Sequence, residues 1–286
     1  MANETTSSTL SALYTTIQQT ALFTMQERAF MRPLVRNYNL VGQPGKAAHV
    51  GIYPTLATSA ITSGEGSDAS NNAITATEKT FTATEKAVMA TLTDTARDST
   101  ADDSAAAIGR ILGETLAKKI DEDIAALFTG FSGGIGGGSG TELTPDDILG
   151  AIATLRANSV TGPYIGVFHP YQTYNLRKVL ANAGAANTPA LSDLGNEVLR
   201  GGYIGRLFGV DIFESAVVTG TSTGAYIGAV MHADALAFCL KKDLTLETQR
   251  DASLRATEIV ASMTYAVGEL FDAHGVKIIT DASIAN

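Results

Sequence analysis

The period of the apolar positions changes several times along the chain, and each change marks an element. Leu10, Leu13, Tyr14, Ile17, Ala21 and Met25 recur at helical spacing, which predicts a short amphipathic helix within an otherwise extended arm over residues 1–46. The arm ends at the turn formers Gly42, Pro44 and Gly45. From 47 to about 97 the character shifts to Thr, Ala and Val. Two β-prone flanks, Ala47 to Thr58 and Ile74 to Thr93, enclose turn residues from Ser63 to Asp68 and at Asn71 and Asn72, and together they predict a long two-stranded hairpin. The clearest period in the chain follows. Ile108, Ile111, Leu112, Leu116, Ile120, Ile124 and Leu127 repeat at three and four residues and predict a helix over 104–128. Asp102 and Asp103 stand before it as caps, Gly130 follows as a stop, and at 1.5 Å per residue the rod is roughly 37 Å long.

The glycine-rich stretch from Gly130 to Gly140 reads as a flexible connection. Thr144, Pro145, Asp146 and Asp147 then open a second helix running to about Asn158, with Thr144 as cap and Asp147 three residues on. Tyr164 to Phe168 reads as a buried strand, His169 and Pro170 as a break, and Tyr171 to Ala181 as a helix. Further strands are predicted at Tyr203–Phe208, Val210–Glu214, Ala225–Met231 and Leu236–Leu240, and the tail alternates as sheet over Leu244–Gln249, Ala256–Val267 and Gly275–Thr280. The class is α+β. Hairpin arms of about 15 to 20 residues reach on the order of 50 to 65 Å, whereas a compact body of this size is only about 50 Å across. Such a hairpin cannot fold back wholly on its own body, and a lone two-stranded ribbon is marginal in water. A neighbouring molecule is implied.

Composition sharpens this picture. The 286 residues are 45% hydrophobic and 17% charged, as in a folded globular protein, but Trp is absent and aromatics make up 7%. Cores built mainly from Ala, Val, Leu and Ile are thin, which leaves part of the stability to subunit contacts. Twenty Lys plus Arg against 29 Asp plus Glu give a net charge of -9, which argues against a surface made to neutralise nucleic-acid phosphates. Cys239 is the single cysteine and lies in an apolar run, so no intrachain disulfide forms and a reducing compartment is expected. The longest apolar stretch, Ala225 to Leu240, is broken by His232 and Asp234 and falls short of a membrane span. The N-terminus lacks the basic start and apolar core of a signal peptide.

Candidate chemistry is sparse. Gly133 to Gly140 invites a phosphate-cradle reading, but the G-x-G-x-x-G spacing fails and no P-loop lysine follows, so a linker is preferred. Gly220 to Gly224 matches G-x-S-x-G around Ser222, for which Val217–Thr219 would be the strand and His232 or His274 the base. A nucleophile elbow needs a helix next, and Ala225 to Val230 continues instead as β, so a hairpin turn is favoured. His49, His169, His232 and His274 form no metal-binding pair by spacing. Asp121, Glu122 and Asp123 read as a solvated helix face. Arg28, Arg32 and Arg36 recur every four residues, either as a contact for an acidic neighbour or as a surface stripe. No catalytic, cofactor-binding or metal residues are assigned.

Taken in order, these features resemble the major capsid proteins of tailed bacteriophages, with the HK97-like fold shared by encapsulin shells. The resemblance runs over nearly the whole chain. Its most specific stretches are Thr144-Pro-Asp-Asp-Ile-Leu with Val167-Phe-His-Pro-Tyr171, Gly205-Arg-Leu-Phe-Gly-Val-Asp-Ile-Phe-Glu-Ser215, and the tail from Leu244 through Tyr265 to Gly275-Val-Lys-Ile-Ile279. It implies an N-terminal arm over 1–46, an extended hairpin loop over 47–97, a peripheral domain with a spine helix over 98–144 and 241–286, and an axial domain over 145–240. It further implies pentamers and hexamers closing into an icosahedral shell around double-stranded DNA, assembled in the host cytoplasm, with a portal protein and possible decoration proteins as partners. The arm begins directly, without the long helical region some relatives carry, so a separate scaffolding protein is implied. Relatives that crosslink use a hairpin lysine and a distant asparagine; Lys79 and Lys86 lie on the hairpin here, and no asparagine is matched. The competing readings are an encapsulin-like compartment and, from another class, a hydrolase built on Ser222.

Overall fold

The computed structural model describes residues 17–25, 29–53, 66, 73–95, 104–185, 205–221 and 224–281. Residues 17–25 are helical, and then come β1 (Arg36–Asn39), β2 (Ala47–Ile52), β3 (Thr77–Thr82), β4 (Thr84–Thr93), helix α1 (Ser104–Ala126) and β5 (Gly133–Gly138). These are followed by α2 (Pro145–Ala157), β6 (Tyr164–Phe168), α3 (Pro170–Ala185), β7 (Arg206–Leu207), β8 (Val210–Glu214), β9 (Ala225–Met231), β10 (Leu236–Asp251), β11 (Ala256–Glu269) and β12 (Gly275–Asp281). Three sheets result: a four-stranded one ordered β1-β10-β11-β4, a six-stranded one ordered β5-β12-β9-β6-β8-β7, and the two-stranded ribbon β2-β3. The fold is a mixed helix-and-sheet architecture, as the patterning predicts.

The four-stranded sheet is covered on both faces, which is why Leu236 to Leu240 reads as an unbroken apolar run. Side chains alternate across it. Leu236, Phe238 and Leu240 of β10, with Ile259, Ala261, Met263 and Tyr265 of β11, share one core with Leu112, Leu116, Ile120 and Ile124 of α1. Ala237, Cys239 and Ala266 face the other way and meet Ala48, Phe81 and Ala83 from the base of the ribbon. Phe238 and Tyr265 stack with ring centroids 5.4 Å apart in the core they share with α1. A third cluster joins Ile148, Ala151, Ile152 and Leu155 of α2 to Leu176 and Leu180 of α3 and to the six-stranded sheet. Gln172, fully buried, donates from its amide to the Tyr226 carbonyl at 2.9 Å and to the Thr280 hydroxyl at 2.7 Å, tying α3 to β9 and β12.

Residues 17–25 pack on α1 where α1 carries Gly109 and Gly113, one turn apart. A β-carbon on Gly113 would lie 2.4 Å from the Ala21 carbonyl oxygen, and one on Gly109 2.7 Å from that of Ile17. Only hydrogen fits there, so these glycines serve close backbone approach. Farther along α1, Asp121 is buried, and its Oδ1 accepts the Met31 N–H at 3.2 Å. Burial pushes this carboxyl up to about 6, against the opposing pull of the Met31 and Phe30 backbone N–H groups.

Several expectations are corrected. The stretch Gly133–Gly138 is a strand, not a linker: β5 pairs parallel with β12, and a β-carbon on Gly136 would meet the Ile279 oxygen at 2.2 Å. Its glycines are there for close packing. Asp121 lies inside the core instead of on a solvated face, and Asp123 is engaged as described below. The second hairpin flank is two strands, because β3 pairs with β2 whereas β4 joins β11. Leu236 to Gln249 is one long strand with irregular register near Lys242. Helix α2 starts as read, with a reciprocal capping box between Thr144 and Asp147. Of the helix predicted in the arm, Leu10, Leu13 and Tyr14 lie outside the described residues.

Two outcomes follow from the contacts of α1. Gly113→Ala should destabilise the chain by about 1–3 kcal/mol through overpacking, although the same change on an exposed helix face gains about 1 kcal/mol; urea unfolding decides the sign. Because the Asp121 carboxyl is raised in the folded state, the stability it contributes is full below about pH 4 and is lost as pH rises through about 6. Asp121→Asn should keep the bond to Met31, raise stability at pH 7.5 by on the order of 1–2 kcal/mol, and flatten the dependence between pH 4 and 6 in thermal unfolding scans.

Candidate assembly surface

The ribbon is antiparallel, with Ala47 opposite Thr82 and Ile52 opposite Thr77. One residue, the buried Ala83, separates β3 from β4 and carries the chain from the ribbon into the four-stranded sheet. The Ala83 N–H donates to the Lys46 carbonyl at 2.7 Å, closing the ribbon at its root. Phe81 wedges onto β11 at Gly268, where a β-carbon would sit 2.4 Å from the ring. His49 pairs with Glu78 across the ribbon's exposed face. Among the described residues β2 and β3 pair only with each other, and Tyr53 and Ile74, beyond their outer ends, are 74% and 57% exposed. The ribbon is thus anchored at one end and presents apolar side chains at the other. Edge strand β4 adds the exposed Met89 on its outer face.

Neither hairpin lysine stands apart from a carboxylate. Lys79 lies 4.0 Å from Glu269 and Lys86 3.8 Å from Asp123. Asp123 also accepts from Lys119 at 2.8 Å and from the Tyr265 hydroxyl at 2.9 Å, so it links α1 to β4 and β11. Its hydrogen bond, and then its charge, hold the Lys119 ammonium above its ordinary range, while burial first, and then Asp123, raise the Tyr265 phenol.

The two histidines offered as a base do not approach the G-x-S-x-G turn. At the G-x-S-x-G segment the Thr221 N–H donates to the Ala225 carbonyl at 2.6 Å, the Gly224 N–H to the Thr221 carbonyl at 3.3 Å, and Gly220 bridges to Tyr226. The chain turns directly into β9, with no helix after it; Ser222 itself lies outside the described residues. His232 and His274 sit at the far end of β9, which spans roughly 20 Å, so neither serves that turn. Their rings meet edge to face at 6.0 Å, where burial lowers the His274 imidazole. His169 stacks on Tyr226 at 3.8 Å and is likewise lowered by burial. No group of His, Cys, Asp or Glu suited to a metal occurs among the described residues. Arg32 lies over the Phe238 ring at 5.1 Å and Arg36 pairs with Asp234 at 2.7 Å, so these two arginines serve the chain's own fold; Arg28 lies outside the described residues. Cys239 is buried, and its thiol is pushed up to about 11, leaving it inert. Sequence reasoning missed the Phe81–Gly268 anchor, whose one signal is a glycine inside a strand pattern.

Comparison with known proteins agrees with this geometry. No curated protein matches the chain in sequence. Among solved structures, that of Mycobacterium phage Che8 is similar with a TM-score of 0.66 and 22% identity, over 82% of this chain and 84% of the other. The capsid of the cyanophage P-SCSP1u matches at 0.66 and 18% identity, over 87% of each chain. A virus-like particle from Pyrococcus furiosus matches at 0.61 and 11% identity, over 93% of this chain and 98% of the other. These likenesses establish an HK97-like fold. The family model described as phage capsid protein matches residues 76–279, well over half of the chain, from the ribbon's second strand to the last strand of the six-stranded sheet. The chain therefore belongs to the phage capsid protein family, and it is a structural protein of the virion shell.

Proposed function

We propose that the chain assembles into pentameric and hexameric rings that close into an icosahedral shell around double-stranded DNA, and that it catalyses no reaction. The observation that carries this reading is the ribbon β2-β3, rooted on the four-stranded sheet by Phe81 and ending in exposed Tyr53 and Ile74. A ribbon with apolar residues exposed at its outer end gains stability when it lies on a neighbour. In this reading residues 47–97 form the extended loop, 98–144 with 241–286 the peripheral domain around α1, and 145–240 most of the axial domain, stitched to the rest by β5 and β12. Residues 1–46 form the arm. Heterologous contacts repeated around a ring and closed by symmetry are the physical route to a shell. The net charge of -9 fits a wall that confines DNA without gripping it. A separate scaffolding protein, a portal and decoration proteins complete the proposed partners, with assembly in the host cytoplasm. If purified shells enclose protein cargo instead of DNA, the compartment reading replaces the genome-container one.

The ribbon gives the test. Replacing Thr58 to Asn72 by an Asn-Gly turn keeps a hairpin but shortens its reach. The body should still fold, since changing the length of a surface loop carries a small entropic cost. Each subunit pair should lose contact worth about 2.5 kcal/mol per ~100 Å² of apolar area before offsetting costs. Normal circular dichroism with no closed shells, or only fragile ones, in electron micrographs is the expected outcome. Shells as resistant to heat and denaturant as the parent's would overturn the strap role.

A further inference from the structure

At the C-terminal end of α2 lies a cleft of about 730 Å³ that plays no part in the ribbon or the N-terminal segment, lined among others by Arg156, Pro163, Tyr164, Arg206 and Phe208. Its charge is positive and only partly paired. Arg156 is exposed and has no carboxylate partner among the described residues, and Arg206 reaches Asp211 only at 3.6 Å, both side chains being well exposed. The cleft's apolar rim is unusual. Leu207 pairs with Val210, so Phe208 and Gly209 form a two-residue hairpin connection, with φ of 52° and 88°. Asn-Gly adopts that geometry without strain, whereas a bulky aromatic at positive φ is a genuine outlier. Phe208 nonetheless holds its ring 44% exposed beside the two arginines. Strain retained where a side chain is put on display marks a contact surface.

The complementary feature lies on the same helix. Asp146, Leu149, Ala153 and Arg156 follow one another at intervals of three, four and three, and all four are exposed, so they form one outward stripe along α2. Leu149 is 42% exposed. The acids near the start of α2 divide clearly. Asp147 is used in the capping box and Glu142 pairs with Lys178 at 2.9 Å, whereas Asp146 has no partner among the described residues. Among the described residues, helix α2 thus carries an unpaired acid at one end and an unpaired base at the other, about 15 Å apart.

We infer that the cleft receives the N-terminal turn of α2 from the next copy of this chain, Asp146 entering between Arg156 and Arg206 under the Phe208 ring. Each copy then offers its acid to one neighbour and its arginines to the other. Such a head-to-tail contact is heterologous, and it closes into a ring when the rotation per step divides a full turn. Shielding by Phe208 excludes water from the ion pair, which strengthens it relative to a fully exposed one. The inference rests on the ring-forming reading above, and its test separates the two.

The full chain is purified and its assembly followed by native mass measurement and electron microscopy. If the wild type forms no rings, the ring reading itself fails. Given wild-type rings, Arg156→Glu and Asp146→Arg should each raise the concentration needed for assembly by about tenfold or more, with circular dichroism unchanged. The double variant, with the pair reversed, should recover to within about threefold of the parent, because the coupling belongs to the pair. Phe208→Asn should unfold at the same or a higher temperature, its turn being relieved, yet assemble less well. Normal assembly of both single variants overturns the inference. A double variant that stays defective overturns it too, by assigning the cleft to a different acidic partner. So does a wild type in which this contact yields only closed dimers, the signature of two α2 helices paired antiparallel.

Discussion

Everything in this molecule depends on the double-sided burial of β10 and β11. Because successive side chains point to opposite faces, the same few residues hold the spine helix α1 on one side and the root of the ribbon on the other. A one-residue slip in the β10–β11 register would exchange the two sets, placing small residues under α1 and Phe238 under the ribbon. The N-terminal helical segment hangs on α1 through Gly109 and Gly113. The six-stranded sheet hangs on β10 and β11 through the two short 3-10 turns, Ala233–Ala235 and Asp272–His274, that lead from β9 and into β12. The His232 N–H donates to the His274 carbonyl at 2.9 Å, holding those two crossings together.

Much of this architecture is legible in the sequence, and the rest is hidden for identifiable reasons. Helices α1 and α2 are visible because their apolar spacing and caps are local properties. Strand β5 is not, because five glycines and one isoleucine carry no period; it is a strand only because β12 has an edge to offer. Likewise no local signal divides β3 from β4, since the division at Ala83 is set by which partner each half finds. Asp121 reads as surface because it sits among Lys118, Lys119, Glu122 and Asp123, and only the chain at Met31 folding over it makes it interior.

The candidate site divides in the same way. The ribbon itself is read from its β-prone flanks, but its reach is not: β2 and β3 are six residues each, because Thr84 to Thr93 of the second flank pairs with β11. Its anchor, Phe81 against Gly268, joins positions far apart in the chain and is invisible to any window. The cleft at Arg156 likewise combines the end of one helix with a hairpin turn some fifty residues later. The G-x-S-x-G match shows the converse: a short string satisfies a pattern while, among the described residues, a strand follows where the elbow needs a helix and both candidate histidines lie at the far end of that strand.

The single-residue junction at Ala83 also has a mechanical meaning. Strand β3 passes through the single residue Ala83 into β4, and both follow β11: Phe81 lies against Gly268, and Thr84 to Thr93 pair with Tyr265 to Ala256. Tension applied to the outer end of the ribbon therefore enters the body along the axis of β4 and loads the bonds to β11 in shear, many at once. Loading in shear spreads a force that peeling would concentrate on one bond at a time. The other ribbon strand, β2, connects back towards β1, whose four residues pair with β10 over a much shorter ladder. The two legs of the ribbon are thus unequal cables: one is spliced along ten residues of β11, and the other is tied on by a four-residue knot.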